Sequence, residues 1–412
     1  MLNDSFFYHD GFLHCDALDL RILAEHTGTP VYVYSASRIR ANLCRLQNAF
    51  APLDAVLHYS IKANGNLALL RLISQAGIDM DAVSGGEIYR ARRAGVAPQR
   101  ILFAGVGKTS AEIRYALDEK VEWFNVESAD ELCLLNTLAC TASYTPSVVL
   151  RLNPGIEAQT HRHIATGHAR AKFGMPAPII AELLVHRADY PHVRIAGLHL
   201  HIGSQLGDVQ ETVQAVQLAQ ALLAPYPDIY TLDIGGGFPV AYTTDDEYPA
   251  PDAFAKALFP LLKGWQIFVE PGRSVVADAG VLLVSVLYHK EQGGQRFVIV
   301  DGSMTDLIRP ALYEAVHPVV PLHKTELNLR DAMVVGPVCE STDVLNRSCL
   351  LPDLSASDYL AVMGAGAYGM VMASNYNMRP RAPEVLVENN TWRVIRRRET
   401  WDDVLRCEED EV

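Results

Sequence analysis

The sequence predicts a (β/α)8 barrel of the TIM type followed by an all-β domain, and three observations carry that expectation. Short apolar runs alternate with amphipathic segments from Val56 to Arg273; the runs number eight; and beyond Arg273 strand-like runs continue while helical patterns become rare. Apolar runs separated by helical segments build parallel sheets, and eight such units in series match a closed barrel better than an open doubly wound sheet.

In chain order, residues 1–34 hold "FFYHDGFLHC" and a short helical stretch, and are expected to pack with the β-domain. The barrel is expected over 35–275. Its strand runs are "VLHYSIK" (56–62), "IDMDAVS" (78–84), "ILFAGV" (101–106), "WFNVES" (123–128), "VVLRLNP" (148–154), "IAGLHLHIG" (195–203), "YTLDIGGG" (230–237) and "IFVEPGR" (267–273). Between them, segments such as "NLALLRLISQAG" and "SGGEIYRARRAG" space apolar residues for one helical face and stop at glycine. Residues 276–412 supply "GVLLVSVLYHK", "QRFVIVDG", "AMVVGPVC", "DYLAVMGAG", "PEVLVEN" and "TWRVIRRRE", strands with short connections. The terminal "CEEDEV" reads as a solvated tail.

The whole-chain balance narrows the function classes. With 412 residues, 49% hydrophobic and 20% charged, the chain suits one large globular domain plus a smaller one. A formal net charge of -13 argues against a nucleic-acid partner, because no basic surplus is available to displace phosphate counterions. The opening "MLNDSFFYHDGFLHCDALDL" lacks the basic start and apolar core of a secretory signal. The most apolar stretch, "AGVLLVSVLY" (279–288), is too short to span a bilayer, so a cytoplasmic enzyme with no membrane partner is expected. Seven scattered cysteines without a Cys-x-x-Cys pair point to reduced thiols rather than disulfides or zinc.

The run ends carry Lys62, Asp81, Ser84, Lys108 just beyond, Glu127, Arg151, Asn153, His199, His201, Gly235, Gly236, Gly237, Glu270 and Arg273. In a barrel such ends converge on one mouth, where active sites are built. Taken singly, each could merely satisfy loop backbone. Lys62 closes an apolar run, and a lysine there is either paired with a carboxylate or chemically used. As a nucleophile it would need an aldehyde cofactor with a phosphate handle. Three glycines in "DIGGGFP" let backbone N–H groups approach an anion, although a tight turn alone would also use them. Their spacing is neither a dinucleotide fingerprint nor a P-loop. In "EPGR", Glu270 could keep a pyridine nitrogen protonated beside Arg273. These parts together fit pyridoxal 5'-phosphate. His201 would then stack on the ring and Ser204 reach the phosphate. The rival is a divalent metal: His199 and His201 share one strand face, and His161 with His163 could complete a set. A metal would leave the glycines and Arg273 without a role, so none is expected.

"HYSIKANGN", "DAVSGGEIYRA", "FAGVGKTSAEI", "FNVES", "LRLNPG", "GLHLHIGSQ", "DIGGGFP" and "EPGR" occur in the order seen in fold-type III pyridoxal-phosphate amino-acid decarboxylases, which the chain resembles from about residue 30 to 405. The stretches "DLIRPALY", "GPVCESTDVL", "GAGAYGMVMASNYNMRPRAPEVLV" and "IRRRET" resemble the branch that converts meso-2,6-diaminopimelate to L-lysine. The resemblance implies an alanine-racemase-like barrel with a β-domain, and a homodimer whose active sites are shared across the interface. It implies that Lys62 holds the cofactor covalently. Gly235, Gly236, Gly237, Arg273 and Tyr368 would bind its phosphate region, Glu270 would meet its ring nitrogen, and Pro271 and Gly272 would complete the cofactor-binding set. Arg273, Arg309, Tyr313 and Tyr368 would bind substrate, with the guanidinium forks suited to its distal carboxylate. Cys339 and Glu340 would come from the other subunit, the thiol as general acid and the carboxylate for the distal ammonium. The same fold also serves ornithine- and lysine-type decarboxylases, carboxylated siderophore precursors and non-catalytic cofactor-binding regulators. Departures from the family pattern are the loop "THRHIATGHARAKFGM" (160–175), with His163 at a tyrosine-like position, Thr342 where glycine is usual, and "GGGFPV", which is nearer the ornithine type.

Overall fold

The computed structural model describes residues 2–156, 167–168, 171–325 and 327–408. Two compact units emerge. One comprises Asn42–Val240 and Tyr248–Ser274; the other comprises Met1–Ala41, Ala241–Glu247 and Val275–Val412.

The first unit is the barrel. Its strands are Val56–Ser60, Asp79–Ala82, Ile101–Phe103, Trp123–Val126, Ser147–Leu152, Arg194–Leu200, Thr231–Asp233 and Gln266–Val269. Each runs parallel to the next, and the ring closes where Phe268 and Val269 sit opposite Val56 and Leu57. Leu102, Trp123, Val149, Ala196 and Phe268 pack together as a buried cluster. All eight expected runs form strands, but each strand is shorter than its run. Lys62 lies on the 3-10 turn Ile61–Ala63, and Glu270 comes directly after Val269.

Helix capping accounts for the early exit after five of the eight strands. Asn66, Ser84, Thr109, Ser128 and Asp208 each accept a hydrogen bond from an N–H in the first turn of the following helix. A cap holds extended backbone outside the helix, so the chain must leave the sheet a few residues earlier. The intervening polar residues are thereby released from strand pairing at the mouth. Lys108 braces one such turn. Its buried ammonium donates to the Gly105 carbonyl at 2.8 Å, the Asn125 carbonyl at 2.6 Å and Glu131 Oε1 at 2.7 Å. Three acceptors satisfy all three protons, which is how a lysine becomes buried without chemistry.

The second unit is mostly β-sheet. Val31–Ser35 pairs antiparallel with Gly280–Gln292 and parallel with Glu384–Glu388. Gln295–Val300, Arg330–Val335, Val344–Leu351 and Thr391–Arg396 extend the sheet outward. Val31, Val33, Val281, Leu283, Val385 and Val387 point into one core cluster. Residues 6–15 form a hairpin, Phe6–His9 with Phe12–Cys15, turning at Asp10 and Gly11, both with positive φ. The N-terminal strand that joins the large sheet is Val31–Ser35. Val344–Leu351, "VLNRSCLL", is a strand the sequence did not suggest, because polar residues interrupt its apolar pattern. Among the described residues no helix is long and apolar enough to cross a membrane.

Candidate active site

The barrel mouth holds a cavity of about 410 Å³ lined by Lys62, Arg151, Phe173, His199, His201 and Glu270, with Val83 and the 104–107 turn on one side. That volume suits a small organic ligand.

Lys62 Nζ lies 3.1 Å from Asp81 Oδ2 on the neighbouring strand, and its side chain is 37% exposed. Ser60 Oγ donates to the same oxygen at 2.8 Å. Asp81 is fully buried, and Oδ1 has no hydrogen-bond partner among the described residues. Burial raises its carboxyl despite the Lys62 charge. The carboxylate fixes where the amine points.

Glu270 is the electrostatic centre. Asn125 Nδ2 donates to Oε1 at 3.0 Å, and His199 Nε2 lies 3.4 Å from Oε2. Burial alone would raise this carboxyl, yet the His199 charge and then Lys62 hold it well below the usual range. Burial pulls His199 down in turn, but the charges of Glu270 and Asp233 outweigh it and raise the imidazole. Neither His199 nitrogen has an aligned hydrogen bond among the described residues, so its contact with Glu270 is charge attraction rather than a directed bond. His201 differs. Its Nδ1 accepts the Gly236 N–H at 3.3 Å, and burial, reinforced by Arg151, lowers its pKa to about 3. The ring is therefore neutral, and its 3.8 Å approach to Glu270 is not an ion pair.

Asp233 sits beneath, fully buried. Its Oδ1 accepts the Gly235 N–H at 2.9 Å and its Oδ2 accepts from Asn125 Nδ2 at 3.2 Å. Burial, then the Glu270 charge, pushes it up to about 8 from 3.8. A carboxyl raised on folding binds more protons in the folded chain, so its contribution to stability falls as pH rises between those two values. Asp233→Asn removes the titration. The melting temperature of the variant relative to the parent should climb from pH 5 to 8 and then level off; a difference that stays flat would show that Asp233 is ionised throughout.

The glycine turn has a steric cause. A Cβ on Gly235 would lie 2.4 Å from the Leu200 carbonyl oxygen, one on Gly236 2.2 Å from that of Glu270, and one on Gly237 2.7 Å from that of Gly203. Gly235 and Gly237 also adopt φ of 66° and 90°. Two of the three amides are already engaged, with Asp233 and His201. Nearby, Arg273 Nη2 donates to Ser204 Oγ at 3.2 Å, pairing a buried guanidinium with a hydroxyl as an anion would require. Pro271 and Gly272 pack on the first strand, where the Pro271 carbonyl accepts the Ser60 N–H at 3.1 Å.

These residues fit pyridoxal phosphate. An amine, a buried carboxylate held ionised and a neutral ring face one cavity of suitable size, and the same unit carries the arginine–hydroxyl pair of Arg273 and Ser204. Ligand atoms of His199, His201 and Glu270 also lie within 4.8 Å of one another, close enough to hold a metal ion. That trio alone gives no role to Lys62, Ser204 or Arg273. His161 and His163 lie outside the described residues.

The remaining expected residues belong to the β-rich unit. Arg309 opens the short helix Arg309–Tyr313 and is buried, while Tyr368 holds a φ of 56°. Cys339 is an exposed free thiol whose N–H donates to Asn377 Oδ1 at 3.2 Å. Glu340 accepts the Tyr376 hydroxyl at 2.6 Å. Reasoning from sequence overlooked Asn125 and Asp233. Both are polar residues inside otherwise apolar strand runs, which was the available signal.

The family model "Pyridoxal-dependent decarboxylase, pyridoxal binding domain" matches residues 36–277. A protein of Aquifex aeolicus named diaminopimelate decarboxylase is 41% identical over 404 residues, covering 97% of this chain and 96% of its own. The crystal structure of diaminopimelate decarboxylase from Helicobacter pylori complexed with L-lysine superposes with TM-score 0.90 at 37% identity, covering 95% of this chain and 99% of that one. The M. jannaschii diaminopimelate decarboxylase in co-complex with L-lysine gives TM-score 0.94 at 34% identity, covering 100% and 99%.

Proposed function

This chain belongs to the pyridoxal-dependent decarboxylases, and from that premise we propose that it removes carbon dioxide from meso-2,6-diaminopimelate to give L-lysine. The observation that carries the reaction class is the single cavity faced by the Lys62 amine, the neutral His201 ring and the ionised Glu270. Nearly full-length similarity to diaminopimelate decarboxylases supports the substrate.

Pyridoxal phosphate, once bound, supplies an electron sink for the pair left behind when carbon dioxide departs. Lys62 would hold it, aimed by Asp81. Glu270 would keep the ring nitrogen protonated, and a neutral His201 would cover one ring face without adding a competing positive charge. Ser204, Arg273, Tyr368 and the Gly235–Gly237 turn would take the phosphate. Gly235 contributes through its fold, since its own amide is spent on Asp233. Arg309 and Tyr313 would receive the distal carboxylate, Glu340 the distal ammonium, and Cys339 would return a proton to the carbanion. We propose a cytoplasmic homodimer in which the partner brings Cys339 and Glu340.

A same-fold enzyme for ornithine or lysine is the second reading. Ornithine offers no distal carboxylate, so Arg309 would then lack its ligand. A non-catalytic regulator would have no use for both Glu270 and Cys339. The deciding experiment incubates the cofactor-loaded protein with meso-diaminopimelate, its LL isomer, ornithine and lysine, and tracks carbon dioxide and the amine product. L-Lysine from the meso isomer alone is expected. Carbon dioxide from ornithine, or from none of the four, overturns the substrate assignment.

A further inference from the structure

We infer that His317 is a positioning residue for substrate recognition, acting as the fixed hydrogen-bond acceptor that aims Arg309; this rests on Arg309 binding the distal carboxylate. Arg309 Nη1 and His317 Nε2 are 2.8 Å apart, both residues buried. A guanidinium only donates, so Nε2 is the acceptor and carries no proton. The ring proton must then sit on Nδ1, which is 2.9 Å from the Met363 carbonyl and donates to it. Arg309 on one side and a carbonyl on the other leave the imidazole one orientation and one tautomer.

The bracket has further parts. Tyr242 places its ring 4.8 Å from the Arg309 guanidinium carbon and edge-on to His317 at 5.4 Å. The Tyr242 N–H is itself tied to Asp246 Oδ2 at 2.8 Å. The His317 carbonyl accepts from Asn346 Nδ2 at 2.8 Å, which anchors the backbone carrying the ring. Arginine has several rotatable bonds and loses much freedom when it must present a fork to a carboxylate. Here one terminal nitrogen is committed before substrate arrives, so binding need not order the side chain. Acting on substrate through Arg309, His317 would affect affinity for any ligand that carries the distal carboxylate. L-Lysine is such a ligand, because the carboxylate retained in the product is the distal one.

Two near-isosteric variants separate the two hydrogen bonds. A glutamine side chain would keep an acceptor near the Nε2 position, so His317→Gln should leave recognition close to parental. His317→Asn keeps a donor for Met363 but withdraws the acceptor from Arg309. Loss of a hydrogen bond to a charged group should raise KM for meso-diaminopimelate, and weaken L-lysine binding by calorimetry, about 10- to 100-fold. In the Asn variant kcat should stay within about threefold and cofactor affinity should be unchanged, since the transition state loses no more than the ground state. Parental KM in His317→Asn, or equal KM increases in both variants, overturns the acceptor role. A parent enzyme with no turnover of meso-diaminopimelate instead overturns the substrate reading, and the inference with it.

Discussion

Lys62→Ala protein should show no decarboxylation above background, a loss of about 10⁴-fold or more. That exceeds the roughly 10²- to 10⁴-fold contributed by one general acid or base, because Lys62 is expected both to hold the cofactor and to move protons. Mixed with pyridoxal phosphate, the variant should lack the visible absorbance of a lysine-linked cofactor, and borohydride treatment should attach no cofactor to the peptide. The variant should still fold. Asp81 loses its ammonium partner 3.1 Å away, but burial already raises that carboxyl, so it can take up a proton instead of staying charged and unpaired. Lys62→Arg supplies the control, keeping a cation beside Asp81 while offering no amine to the aldehyde. An unchanged spectrum in either variant would place the cofactor attachment elsewhere.

Much of this site was legible in the sequence because barrels place strand ends together. Lys62, His201, Gly235–Gly237 and Glu270 stand at or just past the ends of apolar runs, and the closed ring of eight parallel strands brings them to one mouth. The same logic did not reach Asp81 as the partner that aims Lys62. The pairing depends on strand register, Ser60 opposite Asp81, which no single strand encodes. Nor did it reach His317, whose role rests on a 2.8 Å contact across eight residues and on the tautomer that contact enforces. The glycine triplet shows a third kind of gap. The motif suggested phosphate binding, while the structure adds a steric reason independent of any ligand, since all three Cβ positions would collide with carbonyl oxygens. Strand Val344–Leu351 was missed because "NRSC" breaks the apolar alternation, and its pairing to Arg330–Val335 is what makes it a strand.

Glu270→Gln should slow turnover about 10²- to 10⁴-fold, the range for a group controlling one proton at the reacting centre, while leaving the lysine-linked absorbance in place. The amide can still accept from Asn125 Nδ2, now 3.0 Å from Oε1, so the shape of the pocket survives. What disappears is the negative charge that would hold a pyridine nitrogen protonated. Without it, His199 loses the chief charge raising its pKa. The change also has a pH signature with a definite sign. Glu270 is held below its ordinary 4.5, so its stabilisation is present above that value and lost as pH falls through the folded pKa. His199 is raised above 6.5, so its stabilisation is complete below 6.5 and lost as pH rises through the folded pKa. The pair therefore supports the fold most between about pH 4.5 and 6.5. Asp233 adds in the same direction, because removing the Glu270 charge lowers its carboxyl and relieves a cost that grows with pH up to about 8. The melting temperature of Glu270→Gln should fall furthest below the parent near pH 5 to 6 and recover toward pH 8. A deficit that widened with pH, or turnover equal to the parent, would remove Glu270 from the role of ring counter-charge.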